Sequence, residues 1–148
     1  MTDAEAQDFV TRFTAAWSLR DAEAQMALWH PDGVLHYPMV GRPLAAKTEL
    51  GRLVEIQVTT APDFVWQLLD WAVRGDIIIV EFQVTRVLGG KRFDWRGVDK
   101  FRLKDGLIRE EWVYMDTALI RALRAGCDFE KLKAAARQGV AFEPLYEM

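Results

Sequence analysis

Residues 93–116 read FDWRGVDKFRLKDGLIREEWVYMD, and the way this stretch folds back on itself decides the architecture. Strand alternation puts Phe93, Trp95, Gly97, Asp99, Phe101 and Leu103 on one face, with Arg92, Asp94, Arg96, Lys100 and Arg102 on the other. The first set reads as a core face, so the Asp99 carboxyl points into apolar surroundings. A Lys-Asp-Gly turn at 104–106 predicts a hairpin, and centring it on Asp105 sets Asp99 opposite Glu111. Two facing carboxyls cost stability unless one holds a proton or a donor sits between them. That conflict is the best chemical clue in the chain.

Working outward, segments 64–74, 77–88, 91–103 and 107–115 predict a meander of four long antiparallel strands, reversing at Arg74-Gly75-Asp76, at Gly89-Gly90 and at the Asp105 turn. Upstream, Phe9, Phe13, Ala16 and Trp17 recur at helical spacing after a capping Thr2 or Asp3, which predicts a helix to residue 19. A second short helix starts at Asp21 and stops at His30-Pro31-Asp32-Gly33; a short strand at 34–37 and a third helix over 44–57 follow. Asp116 is placed to cap a C-terminal helix over 117–125, and 128–137 form a last amphipathic segment. Helices gathered before a run of strands predict one α+β domain over 1–148, a curved, cone-shaped antiparallel sheet wrapped around the N-terminal helices.

Composition narrows the function classes. A formal charge of −3, from 19 basic and 22 acidic side chains with the basic ones scattered, argues against a nucleic-acid partner. The start TDAEAQD carries no basic-then-apolar leader and no apolar run spans a bilayer, so a cytoplasmic protein without membrane contact is expected. A lone Cys127 has no internal disulfide partner, and His30 and His36 lack a third nitrogen or sulfur ligand nearby. With no glycine-rich phosphate or dinucleotide loop either, neither metal nor cofactor is expected. The Arg92, Arg96, Lys100 and Arg102 stripe, interleaved with Asp94 and facing Glu110 on the next strand, reads as a salt-bridged or dimer-forming surface.

The element order, the segment HPDGVLHYP at 30–38 and the hairpin GVDKFRLKDGLIREEWVYMD at 97–116 together resemble the nuclear transport factor 2-like superfamily, in particular its SnoaL-like polyketide-cyclase branch. The resemblance covers residues 5–125 and implies a cystatin-like fold and a homodimer. It leaves the reaction open, because the same scaffold carries isomerases, epoxide hydrolases, dehydratases, cyclases and non-catalytic binders. The segment 97–102 is similar to the part of ketosteroid isomerase that carries a protonated oxyanion-hole aspartic acid, which matches Asp99. Phe13 stands where that family has a tyrosine, and Tyr37 where it has its catalytic base, so standard steroid isomerisation is not expected. In the comparison with limonene-epoxide hydrolase, Glu81 and Gln83 replace its arginine and first aspartate, and Val113 its second. Val113 also occupies the position of the SnoaL-like cyclases' proton-transferring aspartate.

An alternative polar set remains. Alternation groups Ile77, Ile79, Glu81, Gln83 and Thr85 on one face, read here as inward, which adds Glu81 and Gln83 to Asp99, Glu111 and either His36 or Tyr37. Asp99 is then the acid or oxyanion donor, His36 or Glu111 the base and Tyr37 an orienting donor, with Trp95, Phe13, Trp17 and Val113 as pocket walls. The plainer alternatives are that Asp99 is paired with a backbone or tryptophan donor and that a one-residue slip turns Glu111 outward. The expected function is cofactor-independent acid–base chemistry on an apolar small-molecule ligand: isomerisation, cyclisation or dehydration. A non-catalytic binder, or a homo-oligomeric assembly protein with a vestigial pocket, are the alternatives.

Overall fold

The computed structural model describes residues 1–88, 90–118, 121, 126, 128, 130 and 131. Chain contacts gather Met1–Asp116 into one compact unit and Thr117–Met148 into another, and the architecture below belongs to the first.

Helix α1 (Asp3–Leu19) is fixed at its start by a reciprocal cap: the Glu5 amide donates to Thr2 Oγ1 at 3.2 Å, and the Thr2 amide donates to Glu5 Oε2 at 2.7 Å. Helix α2 (Ala22–Met26) is capped by Asp21, whose Oδ1 accepts from the Ala24 amide at 2.9 Å. The strands are β1 (Trp29–His36), β2 (Leu44–Ala45), β3 (Val65–Arg74), β4 (Ile77–Leu88), β5 (Lys91–Lys104) and β6 (Leu107–Met115), with helix α3 (Gly51–Thr60) between β2 and β3. They form one curled, unclosed sheet in the order β2-β1-β6-β5-β4-β3. The expected meander is antiparallel throughout, and only β1 joins it in parallel, against β6.

Two local expectations differ from the fold. The residues His30-Pro31-Asp32-Gly33 do not end a helix but form an irregularity inside β1, whose register against β6 shifts between Trp29 and Val34. Gly33 permits it, since a Cβ there would meet the Trp29 ring at 2.8 Å and the Ile108 carbonyl at 2.9 Å. The third helix does not begin at Leu44. Leu35 pairs with Leu44 in the sheet, one π-helical turn (Ala46–Leu50) follows, and α3 continues from it. Glu49 holds this entry, accepting from the Ala45 amide at 3.1 Å and pairing with Arg42, whose hydrogen bonds bring the Glu49 carboxyl down to about 2. At the other end of α3, the Arg20 guanidinium donates to the carbonyls of Val58, Ala61 and Phe64. Of the predicted C-terminal helix, one turn is described, with the Arg121 amide 2.9 Å from the Thr117 carbonyl; Cys127 and most of 117–125 and 128–137 lie outside the described residues.

Helix α1 packs its apolar stripe on the concave side of the sheet. The Phe9 and Phe13 rings meet Phe101 edge-on with centroids 5.3 and 4.9 Å apart, and Trp66 lies 5.4 Å from Phe13 and 5.9 Å from Phe82. Burying each such ring stabilises the fold by about 1.5–3 kcal/mol before cavity effects. The inward face of β4 is Ile78, Val80, Phe82 and Val84, all buried. That corrects the expected phase: Ile79 is 43% exposed, and with it Ile77, Glu81, Gln83 and Thr85 take the convex face. The run Ile77-Ile78-Ile79-Val80 has no phase of its own, so only Phe82 and Val84 fix it. Among the described residues no helix is long and apolar enough to cross a membrane.

Candidate functional site

The β5–β6 hairpin closes through a two-residue turn, Asp105 at φ 53° and Gly106 at φ 76°, with Lys104 paired to Leu107. Two successive positive φ values are the type I′ signature, and Asp-Gly is among the pairs that adopt it most readily. This turn shifts the ladder by one residue from a reading centred on Asp105, and an irregularity between Arg102 and Leu103 shifts it by another. Asp99 therefore pairs with Val113, and Glu111 with Phe101. The expected direct opposition of the two acids is corrected to a diagonal one. Because the total displacement is even, neither carboxyl changes face: Asp99 is 4% and Glu111 7% exposed.

Both line a cavity of about 90 Å³ between the helices and the concave sheet. A single water needs only about 10–15 Å³, so the cavity has room for more than one water. Phe13 and Trp17 from α1, Trp66, Trp95 and Val113 from the sheet, and Val54 from α3 form its apolar walls, while Tyr37 reaches it from the end of β1. No lysine or arginine is among the described lining residues. Burial thus acts unopposed: it raises the Asp99 carboxyl well above the ordinary aspartate value, and it raises Glu111 likewise, with the Asp99 charge adding to the rise. Asp99 Oδ1 and Trp95 Nε1 are both buried without a hydrogen-bond partner among the described residues. The pairing of Asp99 with a tryptophan donor is not made.

Three expected site residues lie elsewhere. Glu81 faces out and sits 3.7 Å from Arg96, and Gln83 is paired in register with the same Arg96 on the convex face. His36 is paired with Trp112 in the ladder and stacks on it, rings 5.0 Å apart and 4° from parallel, because its neighbour Leu35 takes the inward position. Lys100 places its ammonium 4.8 Å from the same Trp112 ring. Conversely, two lining amides escaped sequence reasoning. Gln25 is buried with Nε2 3.5 Å from the Ala16 carbonyl, and Gln57 lines the cavity from α3. Their signal is helical spacing: Gln25 lies three residues before the buried Leu28, and Gln57 three after the buried Val54. Among the described residues no cluster of three His, Cys, Asp or Glu side chains is placed to hold a metal ion.

The fold and site define a protein of α+β class whose helices and curled sheet enclose an apolar cavity with a buried carboxyl pair. The family model for the SnoaL-like domain matches residues 10–111, and the chain belongs to that family, within the nuclear transport factor 2-like superfamily. Among solved structures it is similar to AclR from Streptomyces galilaeus, described as a candidate hydroxylase, at 21% identity and a TM-score of 0.69 over 84% of this chain and 98% of that one. TsrD from Streptomyces laurentii matches at 26% identity and a TM-score of 0.67, again over 84% and 98%. TerC, co-crystallised with polyporic acid, matches at 17% identity and a TM-score of 0.71 over 80% and 97%. Comparison with proteins of curated function yields no match.

Proposed function

We propose that this SnoaL-like chain is a cofactor-independent enzyme that moves a proton on a largely apolar small molecule, in an isomerisation, cyclisation or dehydration. The observation that carries the reading is the pair Asp99 and Glu111, two buried carboxyls of raised pKa in one apolar cavity with no lining cation. Such a pair holds a proton at a pH where ordinary carboxyls have lost theirs, and its two apparent pKa values belong to the pair rather than to either residue. With one proton between them, the ionised carboxylate takes a proton from carbon beside a ligand carbonyl, and the protonated partner donates to the carbonyl oxygen as it becomes an enolate. Reversal at a different carbon returns the pair to its starting state. The co-crystallisation of TerC with polyporic acid supports a small organic molecule as the ligand class.

Solvent exchange tests this directly. The protein in D₂O is expected to speed deuterium incorporation into cyclic ketones such as 2-tetralone, with the gain lost in Asp99→Asn and in Glu111→Gln. No acceleration over buffer, or acceleration untouched by both substitutions, overturns the reading.

Val113 favours a second reading. The ladder sets this apolar side chain beside Asp99, at the position where the resemblance puts the cyclases' aspartate, so the cavity keeps its shape without that acid. A non-catalytic binder then shows saturable ketone binding and no exchange.

The convex face supports a homodimer as the partner arrangement. Tyr114, Val65 and Ile79 are exposed there, and Arg102 lies between Asp76 at 3.9 Å and Glu110 at 3.8 Å, so alternating charges surround apolar patches. A twofold pairing needs one patch to match itself, and a face carrying both signs offers each charge an opposite one in the second copy.

A further inference from the structure

We infer that Trp95 and Asp99 read the two ends of a single elongated ligand: the Trp95 indole N–H takes an oxygen acceptor, and the Asp99 carboxyl takes a hydroxyl. The inference deepens the reading of the cavity as a small-molecule site and rests on it. Its basis is that two polar atoms of this cavity, Trp95 Nε1 and Asp99 Oδ1, are buried and unpartnered among the described residues, while native proteins pair nearly all such atoms. They do not satisfy one another. Both project from the inward face of β5 four residues apart, and strand rise separates their Cα atoms by roughly 13 Å. Gly97 lies between them and lets the Phe82 ring close over the strand, since a Cβ at Gly97 would stand 2.4 Å from Phe82 Cζ. The ground between the two polar atoms is therefore aromatic.

Chemistry then specifies the ends. An indole N–H only donates, so whatever meets Trp95 brings an acceptor such as a carbonyl oxygen. A hydroxyl meets Asp99 in either protonation state, donating to the carboxylate or accepting from the acid, and an enolic or phenolic hydroxyl at this end is the enol counterpart of the ketone on which the acid pair acts, the acceptor at Trp95 being a second oxygen. Rings of Trp66, Phe82 and Trp17 along the walls favour a flat hydrocarbon body over a bulky or charged one. The geometry thus points to a molecule of about two fused rings, with a carbonyl at one end and a hydroxyl at the other.

The test uses three probes of one shape: 2-naphthol, 2-acetylnaphthalene and 2-acetyl-6-hydroxynaphthalene. In the wild-type protein the acetyl group is expected to tighten binding over 2-naphthol by about tenfold, the scale of one well-placed hydrogen bond to a buried donor. Trp95→Phe, which keeps an aromatic ring and removes the N–H, is expected to abolish that gain while retaining 2-naphthol binding. Asp99→Leu is expected to abolish the corresponding gain from the hydroxyl. Because either variant can fold poorly, the wild-type protein is also labelled at its indole nitrogens: the Trp95 N–H resonance moves downfield with the two acetyl probes and not with 2-naphthol. An acetyl gain that persists in Trp95→Phe, an unmoved Trp95 resonance, or no binding of any probe up to its solubility limit overturns the inference. The acid–base reading fails separately. Ketone exchange without an acetyl gain defeats two-ended recognition alone, and the acetyl gain without exchange defeats proton transfer alone.

Discussion

Asp99 and Glu111 lie diagonally across β5 and β6, displaced two residues along the ladder and buried in the same cavity. Diagonal positions of this kind stand about 7–8 Å apart, close enough for one carboxylate to oppose ionisation of the other and far enough to leave a reacting group between them. Direct opposition allows the first and forbids the second. The bulge at Arg102 and the type I′ turn are therefore as much a part of the site as the acids, because they set the offset.

Stability should fall as pH rises above the ordinary carboxyl range. Both carboxyls have folded pKa values raised above their unfolded ones, so between the unfolded value near about 4 and the raised folded values the native state binds more protons than the unfolded chain. The stabilisation is complete below about pH 4 and is lost on going upward through the raised folded values. Asp99→Asn removes one such group, so its melting temperature should exceed that of the wild type at pH 7.5. The gain is the free energy of ionising a buried carboxyl, which the asparagine amide does not incur, and each kcal/mol of it corresponds to about 2–4 °C. The difference should shrink toward pH 4.5. Scanning calorimetry of both proteins over that range checks it, and a wild-type advantage at pH 7.5 would contradict the burial argument.

Gly97→Ala should damage the fold more than its size warrants. The added methyl meets the Phe82 ring at 2.4 Å and the Tyr114 carbonyl at 2.9 Å, and the carbonyl is backbone that cannot rotate away. Overpacking of this kind costs about 1–3 kcal/mol. Gly41→Ala, with nothing within 4 Å, is the control and should stay within about 0.5 kcal/mol of wild type. Urea unfolding of the two variants separates them, and Phe82→Leu in the Gly97→Ala background should recover part of the loss.

Strand alternation made the β5 face legible because Phe93, Trp95, Phe101 and Leu103 alternate with Asp94, Arg96, Lys100 and Arg102 in a single phase on both sides of Gly97-Val98-Asp99, and the residues from Phe93 to Leu103 take their expected sides. The four long strands were legible for the same reason, with ends within one residue of the alternation limits. The rest failed where a local signal was ambiguous. Four consecutive apolar residues at the start of β4 left its phase undetermined, which misplaced Glu81 and Gln83. His36 depends on a parallel pairing between β1 and β6 that no local pattern encodes, since residues 36 and 112 meet only in the finished sheet. The diagonal of the two acids needed the bulge, and Arg102-Leu103 carries no glycine or proline to announce one.

Glu81→Gln should leave the cavity chemistry intact. Glu81 is separated from the cavity by the thickness of the sheet and pairs at 3.7 Å with a largely exposed Arg96. An exposed pair contributes about 0–1 kcal/mol, so the melting temperature should scarcely move. Ketone exchange rates equal to wild type are expected, against their loss in Asp99→Asn. A Glu81→Gln variant as inactive as Asp99→Asn would return Glu81 to the site.

The convex face offers the last test. If two copies pair through it, Tyr114, 55% exposed in the single chain, becomes buried, and a charge introduced beside it must be desolvated. Tyr114→Glu should convert a particle of twice the chain mass into one of a single chain mass by sedimentation equilibrium at ten micromolar. Ile79→Glu, on the same face two strands away, should do the same, whereas Lys104→Glu near the hairpin tip should not. Part of the attraction comes from alternating charges such as Arg102 with Asp76 and Glu110, so wild-type association should weaken between low salt and about 1 M, where the screening length falls to about 3 Å. The apolar part persists at high salt, which leaves a weakened dimer rather than none. A wild-type chain that sediments as a monomer at high micromolar concentration and low salt refutes the pairing and leaves the cavity, which lies on the concave side of one chain, unchanged.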